Sequence, residues 1–109
     1  MTQLTRNYRE TIQNRLKKDP EFSKHLLDEA VSEFLNDNPE SARILLREIV
    51  NATIGFEGLA EKTSKNSKSL HRMLSAKGNP SMNNLTNIFS ILSQNLNVNF
   101  EIHTVSKAS

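Results

Sequence analysis

The chain has 109 residues, 36% of them hydrophobic and 24% charged, with a formal net charge of +2; this is the composition of an ordinary globular protein with one modest core. It contains no Cys, which removes disulfides, Cys-based metal sites and a thiol nucleophile together. No stretch approaches the roughly 18 apolar residues of a membrane span, and Met1-Thr2-Gln3-Leu4-Thr5-Arg6 opens no apolar run of a secretory signal, so a cytoplasmic protein that binds no membrane is expected.

Helical periodicity dominates the chain order. Tyr8, Ile12 and Leu16 fall at i, i+4, i+8 and predict a first helix within 5–18. Asp19-Pro20 breaks it, because the residue before a proline avoids the α region. Pro20 also suits the first turn of a second helix, with Glu21 favouring its dipole. Phe22, Leu26, Leu27, Ala30, Val31, Phe34 and Leu35 give that helix a wide core-facing stripe. The turn cluster Asn36-Asp37-Asn38-Pro39 ends it. A third helix over 39–53 carries Ala42, Leu45, Leu46, Ile49 and Val50, with Pro39 at its start and Gly55 just past its end.

Two short helical segments follow, 56–63 and 67–74, separated by only Ser64-Lys65-Asn66. The loop Ser75-Ala76-Lys77-Gly78-Asn79-Pro80 stops the second. A last helix over 81–96 places Met82, Leu85, Ile88, Phe89 and Leu92 on one face. After Asn97 the period changes to 2: Val98, Phe100 and Ile102 alternate with Asn99, Glu101 and His103, predicting a β-strand over 98–104. A lone strand cannot satisfy its own backbone groups, so it is expected to pair with the same strand of a second copy as a homodimer. The alternative is a tail lying on the helices. No internal repeat or low-complexity segment is evident, and the whole of 1–109 reads as one domain.

The spacing of the two short helices over 56–74 fits a helix-turn-helix, in which the first helix braces a second that enters the major groove. Leu59 and the small Ala60 suit the contact on the first helix, and Leu70 and Met73 turn the second one inward. Ser67, Lys68, His71 and Arg72 are left pointing outward as candidates for reading base edges. Arg72 has the planar fork for a guanine O6/N7 pair, and Lys68 reaches the same atoms less rigidly. Ser67, at the helix start, suits either a helix cap or a base contact. Lys65, Asn66, Ser69, Lys77, Asn79, Ser81 and Asn83 flank this helix and suit phosphate oxygens, which set register without reading sequence. Charge agrees: residues 1–61 hold 8 Lys/Arg against 11 Asp/Glu, whereas 62–109 hold 6 against the single acid Glu101. An acidic half followed by a basic half suggests contact with a polyanion.

The run Lys68-Ser69-Leu70-His71-Arg72-Met73-Leu74 with Lys77-Gly78-Asn79-Pro80-Ser81 resembles a family of small prokaryotic antitoxins. These are the "probable addiction module antidote" proteins, related to HigA-type antitoxins and to the Xre/lambda-repressor-like DNA-binding domains. The resemblance runs from about Leu4 to His103 and includes Ala52-Thr53-Ile54-Gly55-Phe56-Glu57 and Leu26-Leu27-Asp28-Glu29-Ala30. It implies an all-α, lambda-repressor-like core over 39–97, an N-terminal helical extension over 5–36 and the short strand at 98–104. It further implies an antitoxin that neutralises a RelE/HigB-like toxin and binds double-stranded operator DNA to repress its own transcription. Ser64 and Lys65 depart from the lambda-repressor-like pattern, where Gly and an apolar residue are common. The acids Asp28, Glu29, Glu33, Asp37 and Glu40 are candidates for facing a basic nuclease.

Catalysis is not expected. His25, His71 and His103 lie far apart without metal-ligand spacing, and with 3 Gly in the chain no phosphate-cradling loop exists. Asp28 and Glu29 are adjacent and diverge on a helix, which makes them a poor acid–base pair. No cofactor is implied. Two other readings stay open: a stand-alone transcriptional repressor without a toxin, and a helical protein-interaction module.

Overall fold

The computed structural model describes residues 6–108. The first helix's expected start at Thr5 lies outside the described residues. Six helices follow in order: α1 Arg6–Lys18, α2 Pro20–Leu35, α3 Pro39–Ala52, α4 Gly55–Thr63, α5 Ser67–Met73 and α6 Met82–Leu96. The fold is all-α among the described residues, and none of these helices is long and apolar enough to cross a membrane.

Local chemistry explains each boundary. Asp19 separates α1 from α2, its carboxylate accepting hydrogen bonds from the N–H groups of Glu21 and Phe22 at 3.1 and 3.2 Å. That cap satisfies donors the first turn would otherwise leave unpaired. The corner is pinned again by the buried Ser23 hydroxyl, which donates to the Leu16 carbonyl at 3.1 Å. The Arg15 guanidinium adds to it, 4.3 Å from the Phe22 ring centroid. Pro39 opens α3, after Asp37 has reversed the chain at a φ of 67°. Gly55 is not simply past α3: at a φ of 76° it redirects the chain and begins α4, a conformation that costs glycine nothing.

One apolar cluster draws on all six helices, from Ile12 and Leu16 on α1 through Leu27, Leu46, Leu59 and Leu70 to Ile88 and Leu92 on α6. The expected stripes face it, but their outermost members do not reach it. Tyr8, Leu35 and Met82, expected on core-facing stripes, are 54%, 65% and 78% exposed. Each sits at or near a helix end, where the apolar period continues past the buried part of the stripe.

The C-terminal strand expected over 98–104 is not seen among the described residues. Residues 98–108 run without regular structure, after Asn97 closes α6 in the left-handed conformation at a φ of 57°. A ladder needs a neighbouring strand, and no strand occurs among the described residues. The segment is instead tied to the helices through rings. Phe100 meets Phe89 of α6 edge-on at 5.8 Å, and Phe89 meets Phe34 of α2 edge-on at 5.7 Å.

Candidate nucleic-acid interface

The segment 55–80 is built so that α5 stands on α4 and shows one face to solvent. Leu59 of α4, Leu70 of α5 and Leu74, which closes α5, are fully buried, and Phe56 nearly so. Met73 and Ala60 are partly buried against the same cluster. Between the helices Ser64 takes the left-handed conformation, φ 57° and ψ 29°. A residue with a Cβ holds that geometry at a cost of about 1 kcal/mol, so the departure from Gly is tolerated by the packing around it. Lys65 is half-buried in the turn.

Asn66, and not Ser67, caps α5: its side-chain oxygen accepts the Ser69 N–H at 2.8 Å. Ser67 is the first helical residue and is half-buried, while Lys68 and Arg72 are exposed on the outer face. His71 is also exposed, but its ring is engaged. It stacks on Phe56 with centroids 3.8 Å apart and planes 18° from parallel. Ser69 is half-buried beside the cap.

The following loop is held from two sides. The Ser75 N–H and hydroxyl both donate to the Arg72 carbonyl, at 3.2 and 2.8 Å, and the Gly78 N–H donates to the Ser75 carbonyl at 3.0 Å. Gly78 lies so close under the end of α5 that a Cβ would collide with the carbonyl oxygens of Arg72 and Met73. From the other side, Arg43 of α3 donates through Nε to the Ser75 carbonyl at 2.9 Å and through Nη2 to the Ala76 carbonyl at 2.6 Å. Sequence reasoning missed Arg43, and no local signal marks it. Lys77, Asn79, Ser81 and Asn83 are all exposed. Ser81 caps α6, its hydroxyl oxygen accepting the Asn84 N–H at 3.1 Å, and a hydroxyl that accepts still has its proton to donate.

Lys68, Arg72 and Lys77 are thus exposed within one short stretch of the chain, with Lys65 half-buried just before it. Among the described residues none of the four takes part in an ion pair, and no carboxylate occurs between Lys62 and Phe100. Unneutralised cations beside exposed hydroxyl and amide groups suit a phosphate backbone. The acids Asp28, Glu29, Asp37 and Glu40 are exposed on α2, the turn after it and the start of α3; Glu33 is half-buried. His25 and His103 are far from α5 in the chain, and among the described residues no group of three or more His, Cys, Asp or Glu gathers.

Scans of the chain against family models, curated proteins and solved structures return no match.

Proposed function

We propose that this protein binds double-stranded DNA with α4 and α5 as a helix-turn-helix, α5 entering the major groove. The observation that carries the reading is the division of α5. Leu70, and Leu74 at the helix's C-cap, are fully buried, while Lys68 and Arg72 stand exposed, without an acidic partner among the described residues. A helix of this length reaches base edges with its first two turns, where Ser67, Lys68 and Arg72 lie. Arg72 is assigned the guanine contact; Lys77, Asn79, Ser81 and Asn83 hold phosphates. His71 presents an imidazole already stacked on Phe56, so its share in base reading is through the ring's free nitrogen edge.

The likeness of 68–81 to the antidote family extends the proposal to a cytoplasmic, non-enzymatic antitoxin that neutralises a RelE/HigB-like toxin and represses its own operon. The unpaired tail, with Ile102 and Val105 exposed, supports a homodimer. A gel shift on the DNA upstream of the gene, repeated across salt concentrations, tests the DNA half. Affinity is expected to fall steeply with salt, since phosphate contacts release counterions; no binding at low salt overturns it. Co-purification with the product of the adjacent gene tests the toxin half, and a stand-alone repressor would bind the DNA but retain no such partner.

A further inference from the structure

We propose that Arg43 is a positioning residue for DNA binding: its guanidinium sets the backbone of the loop that presents Lys77 to a phosphate. The inference rests on the DNA-binding reading of α5 and goes beyond it to a residue on a different helix, more than thirty positions away in sequence.

The geometry is a two-point clamp. Arg43 Nε reaches the Ser75 carbonyl at 2.9 Å and Nη2 the Ala76 carbonyl at 2.6 Å, two successive peptide oxygens matched by one planar fork. Lys77 is the next residue, and after it Gly78 is hydrogen-bonded to Ser75 at 3.0 Å and pressed against the carbonyls that end α5. The Lys77 backbone is therefore fixed on both sides, by α3 before it and by α5 after it. Its side chain is exposed and unpaired among the described residues. A lysine at position 43 would keep the charge but lose the fixed fork, since an ammonium offers donors from a single flexible point.

The role predicts coupling between Arg43 and Lys77. Affinity for a mixed-sequence DNA duplex, measured as a function of salt, is compared for the wild type, Arg43→Lys, Lys77→Ala and the double variant. Lys77→Ala is expected to weaken binding about three- to tenfold at low salt and to lower the salt slope by about one phosphate contact. Arg43→Lys, although it conserves charge, is expected to produce most of the same loss and the same change of slope. The double variant then falls little below either single one, which separates positioning from a merely structural effect that would add. Amide exchange supplies the folding control: protection should fall at Gly78 in Arg43→Lys and persist in α3 and α6. Wild-type affinity and slope in Arg43→Lys, beside a real loss in Lys77→Ala, overturn the positioning role alone. A fully additive double variant overturns it equally. If Lys77→Ala is without effect on a duplex the wild type binds, the assignment of this loop is wrong, and if the wild type binds no duplex, the DNA-binding reading itself fails.

Discussion

The imidazole of His71 lies flat on the ring of Phe56, 3.8 Å between centroids, and so joins the outer face of α5 to the start of α4. Stacked rings contribute about 0.5–1.5 kcal/mol beyond the area they bury. The stack therefore helps hold α5 at a set angle on α4, a task that the buried leucines perform from below.

His71→Phe should preserve this contact and leave stability within about 0.5 kcal/mol of wild type, whereas His71→Ala should lose about 1 kcal/mol. Urea unfolding of both variants decides it. Equal losses in the two would mean that the ring contributes nothing by stacking.

Arg72→Ala should weaken specific DNA binding by about 1–3 kcal/mol and relax the preference at one base pair. Lys77→Ala should instead weaken binding to all sequences alike. Selection of preferred sites from a random duplex pool, run for each variant, distinguishes the two. An unchanged base preference in Arg72→Ala would reverse the assigned orientation of α5.

Glu48 is a charged residue inside the core, 2% exposed, and its partners come from α1. Gln13 Nε2 donates to its carboxylate and to its backbone carbonyl, both at 2.9 Å, while the half-exposed Arg9 is 3.5 Å away. Gln13→Leu leaves buried acceptors without a donor and should cost about 1–3 kcal/mol. Arg9→Ala, removing a partner that water already screens, should cost less than about 1 kcal/mol. Chemical denaturation giving the opposite order would show that the ion pair, and not the amide, satisfies Glu48.

Gly78→Ala should destabilise the protein by about 1–3 kcal/mol, because the new methyl must displace either the loop or the last turn of α5. Thermal melting measures the loss. A variant as stable as wild type would mean that the loop moves aside freely, and Lys77 would then have no fixed backbone.

Deleting residues 99–109 should leave the six helices folded and convert a dimer to a monomer in light scattering. The full chain is expected to pair through its tail because backbone without regular structure leaves donors and acceptors open to a second copy. A monomeric full chain would remove that proposal and leave the tail as a cover for Phe89.

Much of the fold was legible because its causes are local. Asp19-Pro20 and Asn38-Pro39 end and begin helices through steric limits that hold in any context. The apolar period named Leu26, Leu27, Leu46, Ile49, Leu59, Leu70, Ile88 and Leu92, all of which are buried. The same period also named Met82 and Leu35, which are exposed, since a stripe says which way a residue faces and not where the neighbouring helix stops. In the candidate site, Lys68 and Arg72 were legible as outward residues from the inward spacing of Leu70 and Met73.

The helix after Asn66, expected over 67–74 and observed over Ser67–Met73, was thus legible in sequence in its existence, its inward Leu70 and Met73 and its basic outer face, because helical geometry converts spacing directly into direction. Tertiary structure decided what surrounds that face. It laid His71 on Phe56, made Asn66 the cap in place of Ser67, and brought Arg43 to the Ser75 and Ala76 carbonyls across 32 and 33 residues. It also left 98–104 without a ladder. Such contacts depend on where distant segments meet, and an alternating or polar residue carries no record of the partner it will find.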